Sequence, residues 1–416
     1  MLHSNNAVET FNTQCCIAGG GPAGMMLGFL LARAGVEVLV LEKHADFLRD
    51  FRGDTVHPST LEIIYELGLL DNFLKLPHQE VQQLHAHIGN AEFQVVDFSH
   101  LSTRCTFIAF MPQWDFLSFI ATNAKQYPSF HLRLNTEAKE LIIDHDRVIG
   151  LKAHTPGGTL EVHCDLVVGA DGRHSTVREQ AELDVLELGA PMDVLWMRIS
   201  KLPNDPGEVF LRMDYGKVLV MIDRGDYYQC GFVIPKGGFE KIRQQGLNAL
   251  HDNIATAAPF IRDRMTEIHD WSDVHVLTVM VDRLHQWFRP GLLCIGDAAH
   301  AMSPIGGVGV NLAIQDAVAA GNILADPLRG SNLSTEHLEK IQRRRELPTR
   351  IVQRIQIFIQ NRVIDHVLKS NQRMSPPLLI KLLGTWPMLR RIPGYLIGNG
   401  IRPEHAHVRE SGAFKR

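Results

Sequence analysis

The sequence has little of what would mark a secreted, metal-dependent, nucleic-acid-binding or membrane-spanning protein. It holds only six cysteines in 416 residues, Cys15, Cys16, Cys105, Cys164, Cys230 and Cys294. No two of them form C-x-x-C, and most sit inside apolar runs, where cysteine behaves as a small hydrophobe. They are expected to be core thiols in a reducing, cytoplasmic compartment rather than disulfides. Histidine is plentiful at 21, yet there is no H-E-x-x-H. The pairs His85/His87 and His405/His407 have no thiol or carboxylate at ligand spacing, so no metal is expected. Lys plus Arg is 42 against 46 for Asp plus Glu, a net charge of −4, which offers nucleic acid no bulk attraction. No apolar run reaches the ~18 residues of a membrane span, and the stretch from Gly20 to Gly35 is broken by Arg33. The start MLHSNNAVETFNTQ lacks the basic and apolar parts of a leader. The oligomeric state is not legible.

What remains is ordinary globular composition, 45% hydrophobic and 21% charged, at a length that suggests two or three domains. CCIAGGGPAGMMLGFLLARAGVEVLVLEK reads as strand, glycine turn, helix and second strand, one β-α-β unit. A helix is expected from Pro58 to Gly68, alternating strands over 81–110, and a helix from Asp115. From about 181 to 290, VLWMRIS, GEVFLRM, KVLVMI, YYQCGFVI and HVLTVMV read as a mainly antiparallel sheet, interrupted by one helix from Lys241 to Ala255. GLLCIGDAAH is a buried strand entering a glycine loop, with a helix from about Asn311 to Ala325. After Asn332 the chain turns helical and basic. Ser334 or Thr335 can cap this helix, Pro348 should kink or restart it, and Arg343, Arg344 and Arg345 read as a solvated face. The apolar segment PPLLIKLLGTWPMLRRIPGYLIG is expected to pack onto the body rather than touch a membrane.

Gly19-Gly20-Gly21-Pro22-Ala23-Gly24 fits G-x-G-x-x-G. Gly19 allows the tight turn, Gly21 lets the backbone approach a pyrophosphate, and Gly24 lets helix and strand pack closely. The helix N-terminus then presents free N–H groups to the phosphates. Glu42 ends the next strand, where a carboxylate accepts from ribose hydroxyls and repels a 2′-phosphate. The nucleotide is therefore expected to be FAD or NAD, held by Gly19, Gly21, Pro22, Ala23, Gly24, Glu42 and Lys43.

Two later segments complete the pattern, VGADGRHSTVR from Val168, and CIGDAAH from Cys294 with PIGGVGVN from Pro304. At these residues the sequence resembles the single-component flavoprotein monooxygenases with the p-hydroxybenzoate hydroxylase fold, over most of the chain. RGDT from Arg52 resembles that family's arginine-containing segment, and Gln113 a flavin-contacting position. The resemblance implies an α/β architecture. A Rossmann-like FAD-binding domain of the GR2 type would comprise 1–80, 106–180 and 289–330. Strands at 81–105 and the domain 181–288 would form an inserted, mainly antiparallel substrate sheet, and 331–416 a helical tail. It also implies FAD contacts from Arg52, Gln113, Asp171, Gly172, Gly296, Asp297, Pro304, Gly307, Gly309, Val310 and Asn311. Asp297, at the end of a buried strand, can accept from a ribityl hydroxyl. Backbone N–H groups at the helix start can stabilise negative charge on the reduced ring.

The implied activity is a monooxygenation. NADH or NADPH, bound only transiently, reduces FAD; O₂ adds at the flavin C4a carbon; and the hydroperoxide delivers one oxygen to a small organic molecule. No second G-x-G-x-x-G exists for the reductant, and no catalytic acid or base is legible. A halogenase would carry W-x-W-x-I-P, which is absent. The alternatives are a flavin-dependent reductase or saturating enzyme, and a non-catalytic FAD-binding scaffold. In the resembled fold the inserted sheet covers the flavin ring and its inward faces line the substrate pocket. Strand alternation puts Phe210 with Arg212, Leu219 with Met221 and Trp196 with Arg198 on shared faces; taken as inward, with His57 near the substrate, they imply a mostly apolar pocket containing Trp196, Phe210, Arg212 and Met221. That favours a planar aromatic or polycyclic phenol over a small hydroxybenzoate.

Overall fold

A computed structural model describes residues 8–48, 54–206, 210–370, 372–408 and 410–411. Its first sheet grows from the strand Glu9–Ala18, whose last four residues, Cys15, Cys16, Ile17 and Ala18, are buried on both faces. Continuous apolar strands of this kind belong in parallel sheets covered by helices on both sides. The parallel order is Leu292–Cys294, Gly158–Gly169, Glu9–Ala18, Val38–Leu41, Phe130–Arg133. Strands 137–144 and 147–155 extend it through antiparallel pairing with Gly158–Gly169. Helix Pro22–Arg33 packs against the long helix Val308–Arg329. That second helix is long and apolar enough to cross a membrane, but 78% of its apolar window is buried inside the protein, which makes it a core helix. All six cysteines are unpaired, five of them buried.

The second sheet has the order His275–Leu277, Met192–Ser200, Tyr227–Pro235, Lys217–Asp223, Phe210–Asp214, Gln83–Ile88, Ala91–Asp97. Every pairing is antiparallel except that of Phe210–Asp214 with Gln83–Ile88. One face, with Leu195, Met197, Leu219 and Met221, packs on Leu250 and Ile254 of the helix Leu247–Ala257. The opposite face, with Trp196, Val220 and Ile222, packs toward Phe98, Ile108 and Phe110.

Several expectations need correction. The single helix over 241–255 is two, Phe239–Gln245 and Leu247–Ala257, broken at Gly246, whose φ of 89° is left-handed. The helix Thr335–Ile359, capped by Ser334, continues through Pro348 instead of restarting. Arg345 does not belong to a solvated face, because its side chain is 0% exposed. Its Nε donates to Asp316 Oδ1 at 2.9 Å, and His300 Nε2 lies 2.6 Å from Asp316 Oδ2. Burial works against the Asp316 charge, yet His300 and Arg345 beside it hold its carboxyl below the usual range. Arg345 also reaches Glu404 at 3.5 Å, which ties the end of the chain to the core.

Removing one member of such a buried set leaves the remaining charges buried with fewer partners. Arg345→Met is expected to lower the urea unfolding free energy by about 3–5 kcal/mol. A loss within about 0.5 kcal/mol, the range of ordinary surface substitutions, would contradict this placement.

Candidate functional site

Strand register assembles the site. Ala18 lies opposite Gly169, Gly169 opposite Cys294, and Ala18 opposite Leu41. The glycine turn, the Asp171-Gly172 turn, the Gly296-Asp297 turn and Glu42 therefore leave the sheet at one edge, the carboxyl edge where open α/β sheets bind ligands.

Packing explains two of the glycines and space explains the third. A Cβ on Gly19 would lie 2.3 Å from the Ala170 carbonyl oxygen, and one on Gly24 2.0 Å from that of Gly19. A Cβ on Gly21 would meet nothing within 4 Å, so open room lies over the start of helix Pro22–Arg33. That helix has no side-chain cap and no acidic residue in its first turn, which leaves the N–H groups around Ala23 available to an anion. Glu42 is held at the lip, its two carboxylate oxygens accepting from the N–H of Gly20 and of His44 at 3.0 Å each. Lys43 beyond it is exposed. Asp171 is turned inward: it accepts from Ser175 Oγ at 2.5 Å and from Val177 N–H at 3.1 Å. Burial pushes its carboxyl up, and these bonds pull it back. Asp171 thus shapes the turn pressed against Gly19, while Gly172, at φ 88°, has open space around it. Asp297 is the one residue of 291–300 that is not buried; Arg173 approaches it at 3.7 Å.

The second part is the loop from Pro304 to Asn311. Gly306 and Gly307 are left-handed, at φ 78° and 62°, and turn the chain into helix Val308–Arg329, which also starts with no side-chain cap and no acid. Thr55 Oγ1 donates to the Gly307 carbonyl at 3.1 Å. The Asn311 side chain is engaged elsewhere, its Oδ1 accepting from Ser59 Oγ at 2.9 Å and Thr60 Oγ1 at 2.6 Å. The half-buried Gly309 and Val310 remain at the helix start. The underside of the loop is fixed by three glutamines from the helix Thr335–Ile359 and the turn after it. Gln353 donates to the carbonyl of Ala301 at 3.1 Å, Gln356 to those of Ser303 and Ile305 at 2.9 and 2.8 Å, and Gln360 to Ser303 Oγ at 2.7 Å. None of the three stands out in the sequence, because glutamine at helical spacing reads as a solvated face. The missing signal was a partner loop, 301–310, whose one polar side chain is Ser303.

Where the Asp54 segment and the start of helix Gln113–Ala124 meet the antiparallel sheet opens a cleft of about 570 Å³, lined among others by Asp54, Trp114, Arg198, Arg224, Gln229 and His275. At its base Arg224 pairs with Asp54 at 2.7 Å, each 7% exposed. Gln229 and the Gln113 N–H bond the same carboxylate, which burial nonetheless pushes up. Gln113 therefore sits beside the segment that follows Arg52, while Arg52 itself lies outside the described residues. Neither Arg224 nor Trp114 was singled out from the sequence.

The pocket assignment fares unevenly. Trp196 lies on the face opposite the helix-packed core, its ring over Gly231 on the neighbouring strand. Met221 points the other way into the helix-packed core, and Arg212 lies over the Phe260 ring at 5.5 Å on that same side. Phe210 lies opposite Met221 in the register, and its side chain falls outside the described residues. Alternation separated the two faces of each strand but could not say which face was which. His57 is not a pocket residue either, being 0% exposed with Nδ1 2.7 Å from the Ile397 carbonyl. The carbonyl can only accept, so Nδ1 carries the proton.

Burial lowers the His57 pKa to about 4, against the opposing pull of the Ile397 and Gly307 carbonyls. In the unfolded chain the imidazole titrates near pH ~6.5. Between these values the unfolded state binds more protons, so stability falls as pH drops, by roughly 3 kcal/mol across the window. Urea titrations of the His57→Asn variant are expected to show a flatter pH dependence between about pH 6.5 and 4. A slope equal to that of the parent would contradict the buried neutral histidine.

Comparison with known proteins agrees with this geometry. Residues 12–355 match the family described as FAD binding domain. The chain is 31% identical over 359 residues to 6-methylpretetramide 4-monooxygenase from Streptomyces rimosus, covering 86% of this chain and 85% of that protein. It is 30% identical over 333 residues to 12-dehydrotetracycline 5-monooxygenase/anhydrotetracycline 6-monooxygenase from Streptomyces rimosus subsp. rimosus, covering 76% of this chain and 63% of that relative's length. The solved structure of OxyS anhydrotetracycline hydroxylase from Streptomyces rimosus superposes with a TM-score of 0.71 at 24% identity, over 93% of this chain and 76% of that one. The chain belongs to the FAD binding domain family and is an FAD-dependent monooxygenase of the aromatic-hydroxylase type.

Proposed function

We propose that this monooxygenase hydroxylates a planar, polycyclic aromatic substrate, with FAD along the carboxyl edge of the parallel sheet and NADH or NADPH as transient reductant. The observation that carries the reading is the register that brings the three glycine-containing turns and Glu42 to one edge. The substrate class is supported by the two Streptomyces relatives, whose names specify pretetramide- and tetracycline-type compounds. It is also supported by the apolar sheet face of Trp196, Val220 and Ile222. A cytoplasmic location fits the six unpaired thiols.

When bound, FAD supplies the redox chemistry and the activation of O₂. The chain binds and orients. Gly19, Gly21, Pro22, Ala23 and Gly24 would seat the pyrophosphate on the helix N-terminus, and Glu42 would accept from the adenosine ribose. Gly296 and Asp297 would meet the ribityl chain. Pro304, Gly307, Gly309 and Val310 would lie along the ring, and the N–H groups of the helix start would favour the reduced, negatively charged form. The facing sheet would exclude water from the ring.

Asp297→Ala should weaken FAD binding roughly 10- to 100-fold, the loss of a hydrogen bond worth ~1–3 kcal/mol. A variant that purifies fully yellow with parental affinity would contradict the placement. Glu42→Ala should weaken FAD more than FMN, which has no adenosine ribose; equal losses would remove Glu42 from that role. For the substrate, reductant oxidation and product formation by the holoenzyme should respond to polycyclic phenols in a matched panel. Coupled hydroxylation confined to small hydroxybenzoates would contradict the assignment, and a yellow protein that never consumes NADH or NADPH would point to a scaffold.

A further inference from the structure

The last part of the chain carries an apolar face that the fold leaves uncovered. Helices Leu378–Thr385 and Arg391–Gly398 both lie on the edge strand Ala91–Asp97. Their inner sides are pressed onto it: a Cβ on Gly384 would sit 2.8 Å from the Phe93 ring, and one on Gly394 2.1 Å from the Asp97 carbonyl oxygen. The expected packing onto the body is therefore real, but it uses only one side of each helix. The outer sides and the turn between them hold Leu378, Leu382, Trp386, Met388, Ile392 and Tyr395, from 41% to 76% exposed. Single exposed hydrophobic residues are normal, whereas six on two neighbouring helices form a contiguous patch of the kind that marks an interaction site.

Charge decides what fits. From Ser370 to Pro403 the sequence has no Asp or Glu, while Arg373, Lys381, Arg390, Arg391 and Arg402 fall inside it. This stands against a chain whose net charge is −4. Arg390 is turned inward to Gln94 and the carbonyls of Leu383 and Gly384. Lys381 and Arg391 are exposed among the apolar side chains. A second copy docking through a two-fold contact would set these cations against their own images. Asp97 of the strand beneath lies near Arg391, but its side chain is only 14% exposed. Tryptophan and tyrosine with leucine, isoleucine and methionine, edged by exposed Lys and Arg, is the composition of an interfacial membrane surface.

We infer that this face docks on the headgroup region of an anionic lipid bilayer. The apolar side chains enter the boundary between headgroups and acyl chains, and Lys381 and Arg391 meet the lipid phosphates. The same helix end reaches the candidate flavin loop. The Ile397 carbonyl holds His57, and a Cβ on Gly306 would contact the Ile397 side chain at 3.9 Å.

The test is co-sedimentation of the full-length, FAD-loaded protein with vesicles of phosphatidylcholine alone or mixed equally with phosphatidylglycerol. The protein should pellet with the anionic vesicles, poorly with the neutral ones, and be largely released by about 0.5 M salt. Leu382→Glu with Trp386→Glu, and separately Lys381→Glu with Arg391→Glu, should each lower the partition coefficient at least about tenfold while the flavin spectrum is unchanged. Parent protein that stays in the supernatant with both vesicle types would overturn the inference. So would variants that bind like the parent. A parent dimer that Trp386→Glu converts to monomer would overturn it in favour of self-association.

Discussion

The parallel pairing of Gly158–Gly169 with Glu9–Ala18 on one side and Leu292–Cys294 on the other is the constraint on which the site depends. These strands lie far apart in sequence, and each ends in a glycine-containing turn. Because Ala18, Gly169 and Cys294 are level, the turns emerge side by side. A slip of one residue would send every side chain of a strand to the opposite face. Both faces are buried here, so the core specifies the register and the register positions the turns. Gly19 shows how close the fit is, since the Asp171 turn occupies the space a side chain would need.

The loop from Ala301 to Asn311 depends on a different interaction. It follows a buried strand and has few polar side chains of its own, so its carbonyls need partners from elsewhere. Gln353, Gln356 and Gln360, spaced to share one helix face, supply them, while Arg345 holds Asp316 on the helix the loop enters. Buried amides and a buried guanidinium are costly unless fully partnered. Together they form a stripe along the helix that sets the position of the loop. His57 and Thr55 clasp the Gly307 end of the same loop from the other side, so it is held by two separate parts of the chain.

Much of the fold was legible in the sequence because its signals are local. The glycine turn between a strand and a helix, the apolar strand before Asp297 and the alternating strands from 181 to 290 each have a period and a boundary of their own. What was not legible depends on the partner. Arg212 and Met221 were read onto the wrong face because alternation separates two faces without naming them. Arg345 and the glutamines read as solvated because polarity at helical spacing normally is. Asp171, conspicuous in its motif, spends its carboxylate on Ser175 and Val177, and Asn311 spends its amide oxygen on Ser59 and Thr60. The resemblance gave the places of these residues, and only the structure gave their orientation. Gly246 was passed over because one glycine in a helical pattern is weak evidence of a break.

The two sheets divide the work that a monooxygenase of this family requires. The parallel sheet offers an anion-ready helix start and carboxylates at its edge. The antiparallel sheet offers an apolar face and, beside it, a polar cleft anchored by the Arg224–Asp54 pair. The most direct measurement is a crystal structure of the FAD-loaded protein. The account requires the pyrophosphate within about 3 Å of the N–H groups that start helix Pro22–Arg33, a ribityl oxygen on Asp297, and the ring between the Pro304–Asn311 loop and the sheet face of Trp196. A flavin bound elsewhere, or one whose pyrophosphate makes no contact with that helix start, would contradict it.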